Sequence, residues 1–308
     1  MMVWERMEDE QMRPGHSACP GCGVAMAMRL VLRALGDEAV VVVVPSCSAV
    51  ISGTYPNTAL RVSAYHSAFE TAAPTAAGIA NALKLLGQED RPVVAFAGDG
   101  GTFDIGLQSL SGAADRNENI IYVCLDNEAY MNTGIQASSA TPLFAWTATT
   151  PSGRFGRKKR LMEIIAAHRV PYAATASVGY PKDLMEKVDR AKRTRGTRFI
   201  HVLAPCPTGW RMPENLTVRA AILSVQTRVF PLYEVEEGTR YRLTQPSEGF
   251  PVSDYLRIQG RFRHMREDEV ESTQREVDEE WERLLLRIDG SDSRGCTTGA
   301  KQREALGT

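Results

Sequence analysis

Val93-Val94-Ala95-Phe96-Ala97-Gly98-Asp99-Gly100-Gly101 and Ile120-Ile121-Tyr122-Val123-Cys124-Leu125-Asp126-Asn127 decide the fold of this chain. Each is a short apolar run of strand length that ends in an oxygen-bearing side chain, and a helix-length segment lies between them. A strand-turn-helix-strand unit brings both strand ends to the carboxyl side of an α/β sheet, the side on which ligands bind. The Asp99 carboxylate and the Asn127 amide are therefore expected to converge on one hard cation. Gly98, Gly100 and Gly101 allow close backbone approach, and a helix starting near Thr102 would turn its free amides towards an anion. Magnesium with a diphosphate is the physical reading. Gly-Asp-Gly by itself is also an ordinary tight turn; the flanking strands and the spaced asparagine weigh against that simpler role.

Outward from this unit, strands are expected at Val40–Val44, Val93–Phe96, Ile120–Leu125, Tyr172–Thr175 and Phe199–Leu203, with a weaker one near Arg61–Ser63. Helices are expected at Val24–Leu35, Phe69–Leu86, Ile105–Asp115, Leu161–His168, Pro181–Arg193 and Glu214–Ser224. Regular alternation implies an α/β fold: a doubly wound, mostly parallel sheet with helices on both faces. This domain would occupy residues 1–230. Residues 231–288 read as an extension, Pro/Gly-punctuated from Pro231 to Pro251 and then a charged helix around Glu267 to Arg287, wrapping over the core or reaching a partner. Residues 289–308 have the composition of a disordered tail.

The chain has 308 residues, 43% of them hydrophobic, and a formal net charge of −1. That is enough to bury a large core, and nothing in it suggests nucleic acid. The longest apolar run, Ala39 to Val44, is far too short for a membrane span, and the acidic start Glu5 to Glu10 is unlike a signal peptide, so a cytoplasmic location is expected.

Six cysteines in such a chain point to metal binding or plain burial rather than to disulfides. Cys19-Pro20-Gly21-Cys22-Gly23 is a CxxC loop entering a helix. A redox dithiol would want a strand before it, and Met12 to His16 reads as a loop. Cys47 follows the first strong strand and Cys206, in Pro205-Cys206-Pro207, follows the last, so both should reach the sheet edge that carries Asp99 and Asn127. One four-thiolate site beside the cofactor is expected, holding zinc or an iron–sulfur cluster, which spacing does not separate. Cys124 reads as a buried strand cysteine and Cys296 as a bystander.

Gly-Asp-Gly, 26 further residues and an asparagine resembles the thiamine diphosphate motif. The resemblance implies that Asp99, Asn127 and the carbonyl of Ala129 hold magnesium. Many members of that family carry two asparagines where this chain has Asp126-Asn127, and the ligand position is the one retained. Across nearly its whole length the sequence resembles the β subunit of pyruvate:ferredoxin oxidoreductase and its 2-oxoacid relatives. The matching blocks are Gly15 to Gly23, Pro45-Ser46-Cys47, Gly98 to Gly101, Asp126-Asn127-Glu128-Ala129-Tyr130-Met131-Asn132-Thr133-Gly134, Pro205-Cys206-Pro207-Thr208-Gly209-Trp210 and Gln259-Gly260-Arg261-Phe262.

By that resemblance the fold is the diphosphate-binding half of a thiamine diphosphate enzyme, and Cys19, Cys22, Cys47 and Cys206 bind a 4Fe–4S cluster beside the cofactor. The resemblance also implies CoA-dependent oxidative decarboxylation of a 2-oxoacid, pyruvate by default, with oxalate, branched-chain and aryl oxoacids as alternatives, and electrons leaving through the cluster to an external ferredoxin. Asn132 matches the position facing the reacting carbon, while Tyr130 and Met131 belong to the cofactor-binding block. A pyrimidine-binding α subunit and γ and ferredoxin-like δ subunits, or a fusion of these, would complete the enzyme. Two side chains and one run carry weaker suggestions: His66 and Glu70 for acid–base work, and Arg154 to Arg160 as a solvated basic face, a coenzyme A phosphate contact or a ferredoxin docking patch. A non-redox thiamine carboligase, or a zinc-stabilised binding protein, are the competing readings.

Overall fold

The computed structural model describes residues 10–304, with side chains as far as Ser291. Six parallel strands form the centre of the sheet: β1 (Val40–Val43), β2 (Ser63–His66), β3 (Val93–Gly98), β4 (Ile121–Asp126), β5 (Tyr172–Ser177) and β6 (Arg198–Leu203). β7 (Tyr233–Glu236) joins β5 antiparallel and β8 (Arg240–Leu243) joins β7, giving the order β2-β1-β3-β4-β6-β5-β7-β8. Side chains alternate along each strand. Val41, Val43, Val94, Phe96, Ile121 and Val123 therefore face α1 (Gly23–Leu35) and α6 (Pro181–Arg193), while Val42, Val93, Ala95 and Tyr122 face α3 (Ala72–Leu85), α4 (Leu107–Asp115) and α5 (Leu161–Ala167). Helices on both faces explain why the central strands read as unbroken apolar runs.

The expected strands and helices fall where the periodicity put them, with two refinements at the ligand-bearing end. The weak strand forms two residues later, as β2. The chain after β3 starts as a wide π-type turn over Gly100–Ile105 before α4, because Gly106 packs against the carbonyl of Gly101 and leaves no room for a tighter turn. Between β1 and β2, α2 (Cys47–Ser52) was not anticipated; it is short and starts at a cysteine.

The extension departs further from the sequence reading. Residues 233–243 are a hairpin rather than an irregular segment, its three-residue loop 237–239 turning at Glu237 and Gly238 with φ of 51° and 67° and closed by Thr239 N–H donating to the Glu236 carbonyl at 3.0 Å. Beyond it α9 (Val252–Arg257) and a single 3₁₀ turn at Gly260–Phe262 pack onto α7 (Pro207–Trp210) and α8 (Thr217–Gln226) as a second, smaller core containing Trp210, Tyr255 and Phe262. The last helix, α10, spans Glu267–Glu304, so it runs through most of the stretch expected to be a disordered tail. Once nucleated, a helix gains one hydrogen bond per residue, and this outweighs the Gly, Ser and Thr content that pointed to disorder. Residues 305–308 lie outside the described residues, as does the side chain of Cys296. Among the described residues no helix is long and apolar enough to cross a membrane.

Candidate active site

The adjacent strands β1, β3, β4 and β6 end side by side, and the strand order reverses between β1 and β3. Their carboxyl ends deliver, in turn, Cys47, Asp99, Asn127 and Cys206. A cavity of about 220 Å³ opens there, lined among others by Ser46, Cys47, Phe69, Gly98 to Gly101, Asn127 and Ala129 to Thr133. Placement at this reversal follows from the crossovers leaving β1 and β3 in opposite directions, which parts the covering helices.

Three oxygens meet at the floor. With the Asn127 amide oxygen turned inward, it stands 3.1 Å from Asp99 Oδ1 and 2.9 Å from the Ala129 carbonyl. Bare oxygens at such separations repel, whereas an octahedral magnesium at about 2.1 Å from each ligand holds neighbouring oxygens about 3.0 Å apart. The opposite amide orientation donates from nitrogen to both oxygens and closes the site without a cation. In the oxygen-inward orientation the nitrogen points to Cys47 Sγ at 3.9 Å. Asp99 is 1% exposed; burial, then the charge of Asp126, pushes its carboxyl well above the usual range, against the hydrogen bond that Ser138 Oγ donates to it. A divalent cation would reverse that penalty, so the donor set fits the ion.

The backbone makes this convergence possible at Glu128. Its φ of 65° folds the chain between Asn127 and Ala129, so that a side-chain oxygen and a carbonyl two residues apart face one point. For a non-glycine residue this geometry costs about 1–2 kcal/mol, which its surroundings offset. Glu128 N–H donates to Asp126 Oδ1 at 2.8 Å, and its carbonyl accepts from Thr141 Oγ1 at 2.7 Å. Its carboxylate meets Lys158 at 3.2 Å and Arg261 at 2.5 Å. Lys158 also bonds Asp126 at 2.7 Å, and His201 Nε2 lies 2.7 Å from the same carboxyl. Burial opposes ionisation of Asp126, but Lys158 and His201 outweigh it and hold the carboxyl below the usual carboxylate range. Burial likewise keeps His201 below the usual imidazole value.

Above the floor, Tyr130 lies against Gly100 with its hydroxyl donating to Asp104 at 2.8 Å, and Phe69 lies against Gly101. A methyl group on Gly100 would be driven into the Tyr130 ring. We expect Gly100→Ala to weaken binding of the diphosphate expected from the sequence about tenfold, because a Tyr130 ring displaced by overpacking that costs about 1–3 kcal/mol would intrude on the cavity, and 1.4 kcal/mol is a factor of ten; titration calorimetry measures it. Asn132 lies at the mouth of the cavity, exposed, on a turn closed by Gly134 N–H to the Met131 carbonyl at 3.2 Å.

The four cysteines named from the sequence share one neighbourhood. Burial, then the proximity of Cys206, Cys22, Asp99 and Cys19, together push the Cys47 thiol up to about 12. Burial also raises Cys22 and Cys206. Backbone amides face these sulfurs: Gly209 N–H donates to Cys206 Sγ at 3.4 Å, and the amides of Ala25 and Val24 reach Cys22. The CxxC loop seats on the Cys206 loop because Gly23 N–H donates to the Pro205 carbonyl at 3.2 Å, where a Cβ would approach to 2.6 Å. Cys124 is fully buried inside β4, as expected of a strand cysteine.

Other candidates do not reach the cavity. His66 is exposed on β2 with Ser52 Oγ 3.5 Å from its ring, and Glu70 is exposed. The basic run is partly solvent-exposed, but its charges are engaged rather than open to an anion. Arg154 donates to the carbonyls of Ser138 and Thr141, Lys158 is inside the acidic pair described above, Lys159 reaches Asp104, and Arg157 and Arg160 pair with Glu276 and Glu280 of α10. Each charge meets a carboxylate or carbonyl far away in sequence, which composition does not reveal. Ser138, Glu128, Trp210 and Arg261 support the site and carried no separable signal; the last three stand in blocks noted for resemblance only.

Residues 46–202 match the family described as thiamine pyrophosphate enzyme, C-terminal TPP binding domain. The chain is 50% identical over 285 residues to pyruvate synthase subunit PorB of Methanothermobacter thermautotrophicus, covering 91% of this chain and 99% of that one. It is 46% identical over 289 residues to ketoisovalerate oxidoreductase subunit VorB of Pyrococcus abyssi, covering 90% and 93%. A 2-oxoglutarate:ferredoxin oxidoreductase from Magnetococcus marinus, at 20% identity, superposes with a TM-score of 0.57 over 89% of this chain and 96% of its own, which extends the likeness to the fold. A cavity at the strand-order reversal, three oxygens converging at its floor and relatives alike over nine-tenths of the sequence place this chain among the β subunits of the 2-oxoacid:ferredoxin oxidoreductases.

Proposed function

We propose that this subunit binds thiamine diphosphate, magnesium and one 4Fe–4S cluster, and that within its complex it catalyses CoA-dependent oxidative decarboxylation of pyruvate, with electrons passing to ferredoxin. The observation that carries the reading is Cys47, which lines the cofactor cavity and belongs to the four-thiol neighbourhood. One side chain thus separates the two cofactor sites.

Asp99, Asn127 and the Ala129 carbonyl would hold magnesium, and the amides following Gly98 would receive the diphosphate. Thiamine diphosphate, when bound, supplies the nucleophilic carbon and accepts the electron pair released with carbon dioxide. Phe69, Tyr130 and Met131 exclude water from the cavity, which strengthens every charge interaction inside it. Asn132 is placed at the mouth, where its amide can donate to the substrate carboxylate or developing alkoxide. An α subunit, with γ and δ subunits or a fusion, would complete the enzyme.

Relatives of similar identity are named for pyruvate and for ketoisovalerate, so the branched oxoacid is the second reading. Anaerobic purification of the native complex, with iron, sulfide and thiamine diphosphate quantified per copy of this chain, tests the cofactors. Adding pyruvate or ketoisovalerate with coenzyme A and following the visible spectrum tests the substrate. Faster bleaching by pyruvate supports the first reading and faster bleaching by ketoisovalerate the second; zinc without thiamine diphosphate would sink both.

A further inference from the structure

The block Gln259-Gly260-Arg261-Phe262 has no part in the chemistry above, yet it carries a guanidinium only 2% exposed. A buried arginine rarely adds net stability, so its contacts suggest another use. Arg261 Nη2 bonds Glu128 Oε2 at 2.5 Å, on the residue whose left-handed backbone presents the two neighbouring oxygens to the cation position. The same guanidinium lies 4.0 Å over the ring of Trp210, and Trp210 Nε1 donates to the Asn127 carbonyl at 2.9 Å. Arg261 thus grips the Asn127–Ala129 loop at two successive residues, directly at the Glu128 carboxylate and indirectly, through Trp210, at the Asn127 carbonyl.

Its own position is fixed from the extension. Arg261 Nε donates to Gln259 Oε1 at 2.9 Å, Gln259 Nε2 donates to the Tyr255 carbonyl at 2.7 Å, and Trp146 N–H donates to the Arg261 carbonyl at 2.9 Å. Gly260 allows the close approach: its N–H donates to the Arg211 carbonyl at 3.1 Å, where a Cβ would come to 2.6 Å.

We infer that Arg261 is a positioning residue for the magnesium–diphosphate site, holding the loop in the shape that turns three oxygens to one point. This rests on the cofactor reading above. The extension would then set metal affinity from 133 residues away in sequence, much as outer partners of metal ligands do elsewhere, where their loss costs about 10–100-fold in affinity.

The test uses the native complex stripped of magnesium and thiamine diphosphate by chelation, titrated with magnesium at fixed thiamine diphosphate and read by calorimetry, with iron content and thermal midpoint as controls. Arg261→Gln should raise the apparent magnesium Kd about 10–100-fold at unchanged iron content, and Arg261→Lys should recover part of the loss. Trp210→Phe keeps the ring and removes the indole N–H, so it should raise Kd several-fold even if Arg261→Gln fails to fold. Wild-type affinity in a folded Arg261→Gln protein, or in Trp210→Phe where the former does not fold, would overturn the inference. A wild-type complex that binds thiamine diphosphate without magnesium would instead overturn the cofactor reading.

Discussion

Asp99→Asn is expected to abolish magnesium-dependent binding of thiamine diphosphate while leaving the subunits assembled and the iron in place. Asparagine keeps the shape of the side chain and one oxygen but removes the only formal charge among the three inward-facing oxygens. The cation's contribution is several kcal/mol of charge stabilisation, so decarboxylation should fall about 1,000-fold. A thermal assay separates this from misfolding. At 100 times Kd a bound ligand stabilises the folded state by about 2.7 kcal/mol, so wild-type protein should gain thermal stability on adding magnesium and thiamine diphosphate, and the variant should gain none. An equal gain in both would remove Asp99 from the cation site.

Cys206→Ser is the second substitution with a large expected effect. Its sulfur lies at the start of α7, takes the Gly209 N–H and neighbours Cys22 and Cys19. Serine retains the size and the hydrogen bond but not the soft thiolate that iron prefers. Iron and sulfide should drop to a small fraction of the wild-type content, and electron transfer to ferredoxin should become undetectable, with thiamine diphosphate still bound. Cys124→Ala is the matched control. That thiol is fully buried in β4 and burial pushes it well above its ordinary value, so its loss should cost only about 1 kcal/mol of stability and no iron. Iron loss in Cys124→Ala, or full retention in Cys206→Ser, would reassign the cysteines.

The central sheet was legible because its strands are covered on both faces and read as apolar runs, and because the ligand-bearing residues stand directly at strand ends. Sequence alone places Asp99, Asn127, Cys47 and Cys206 at one edge, since parallel topology fixes which end each strand presents. The hairpin of β7 and β8 was missed although Glu237-Gly238 is a turn signal, because Tyr233-Glu234-Val235-Glu236 and Arg240-Tyr241-Arg242-Leu243 alternate with charges and lack a solid apolar face. The ion pairs behind the site were illegible for a different reason. Lys158 with Asp126 and Arg261 with Glu128 join residues 32 and 133 positions apart, and no local pattern encodes such a meeting. Sequence spacing names the oxygens that converge at the cavity floor, but not the charges around Glu128 that hold the turn between them.

The two ends of the sheet are unequal. At β8 the helix α10 lies across the outer strand, with Ser291 Oγ on the Tyr241 carbonyl at 3.1 Å and Arg287 on the Tyr241 hydroxyl at 3.2 Å. At the other end, among the described residues, β2 pairs only with β1, and all four of its residues are exposed. For strand pairing the chain therefore has a valence of one. A strand added at β2 would extend the sheet at that end alone, because α10 covers β8 at the other.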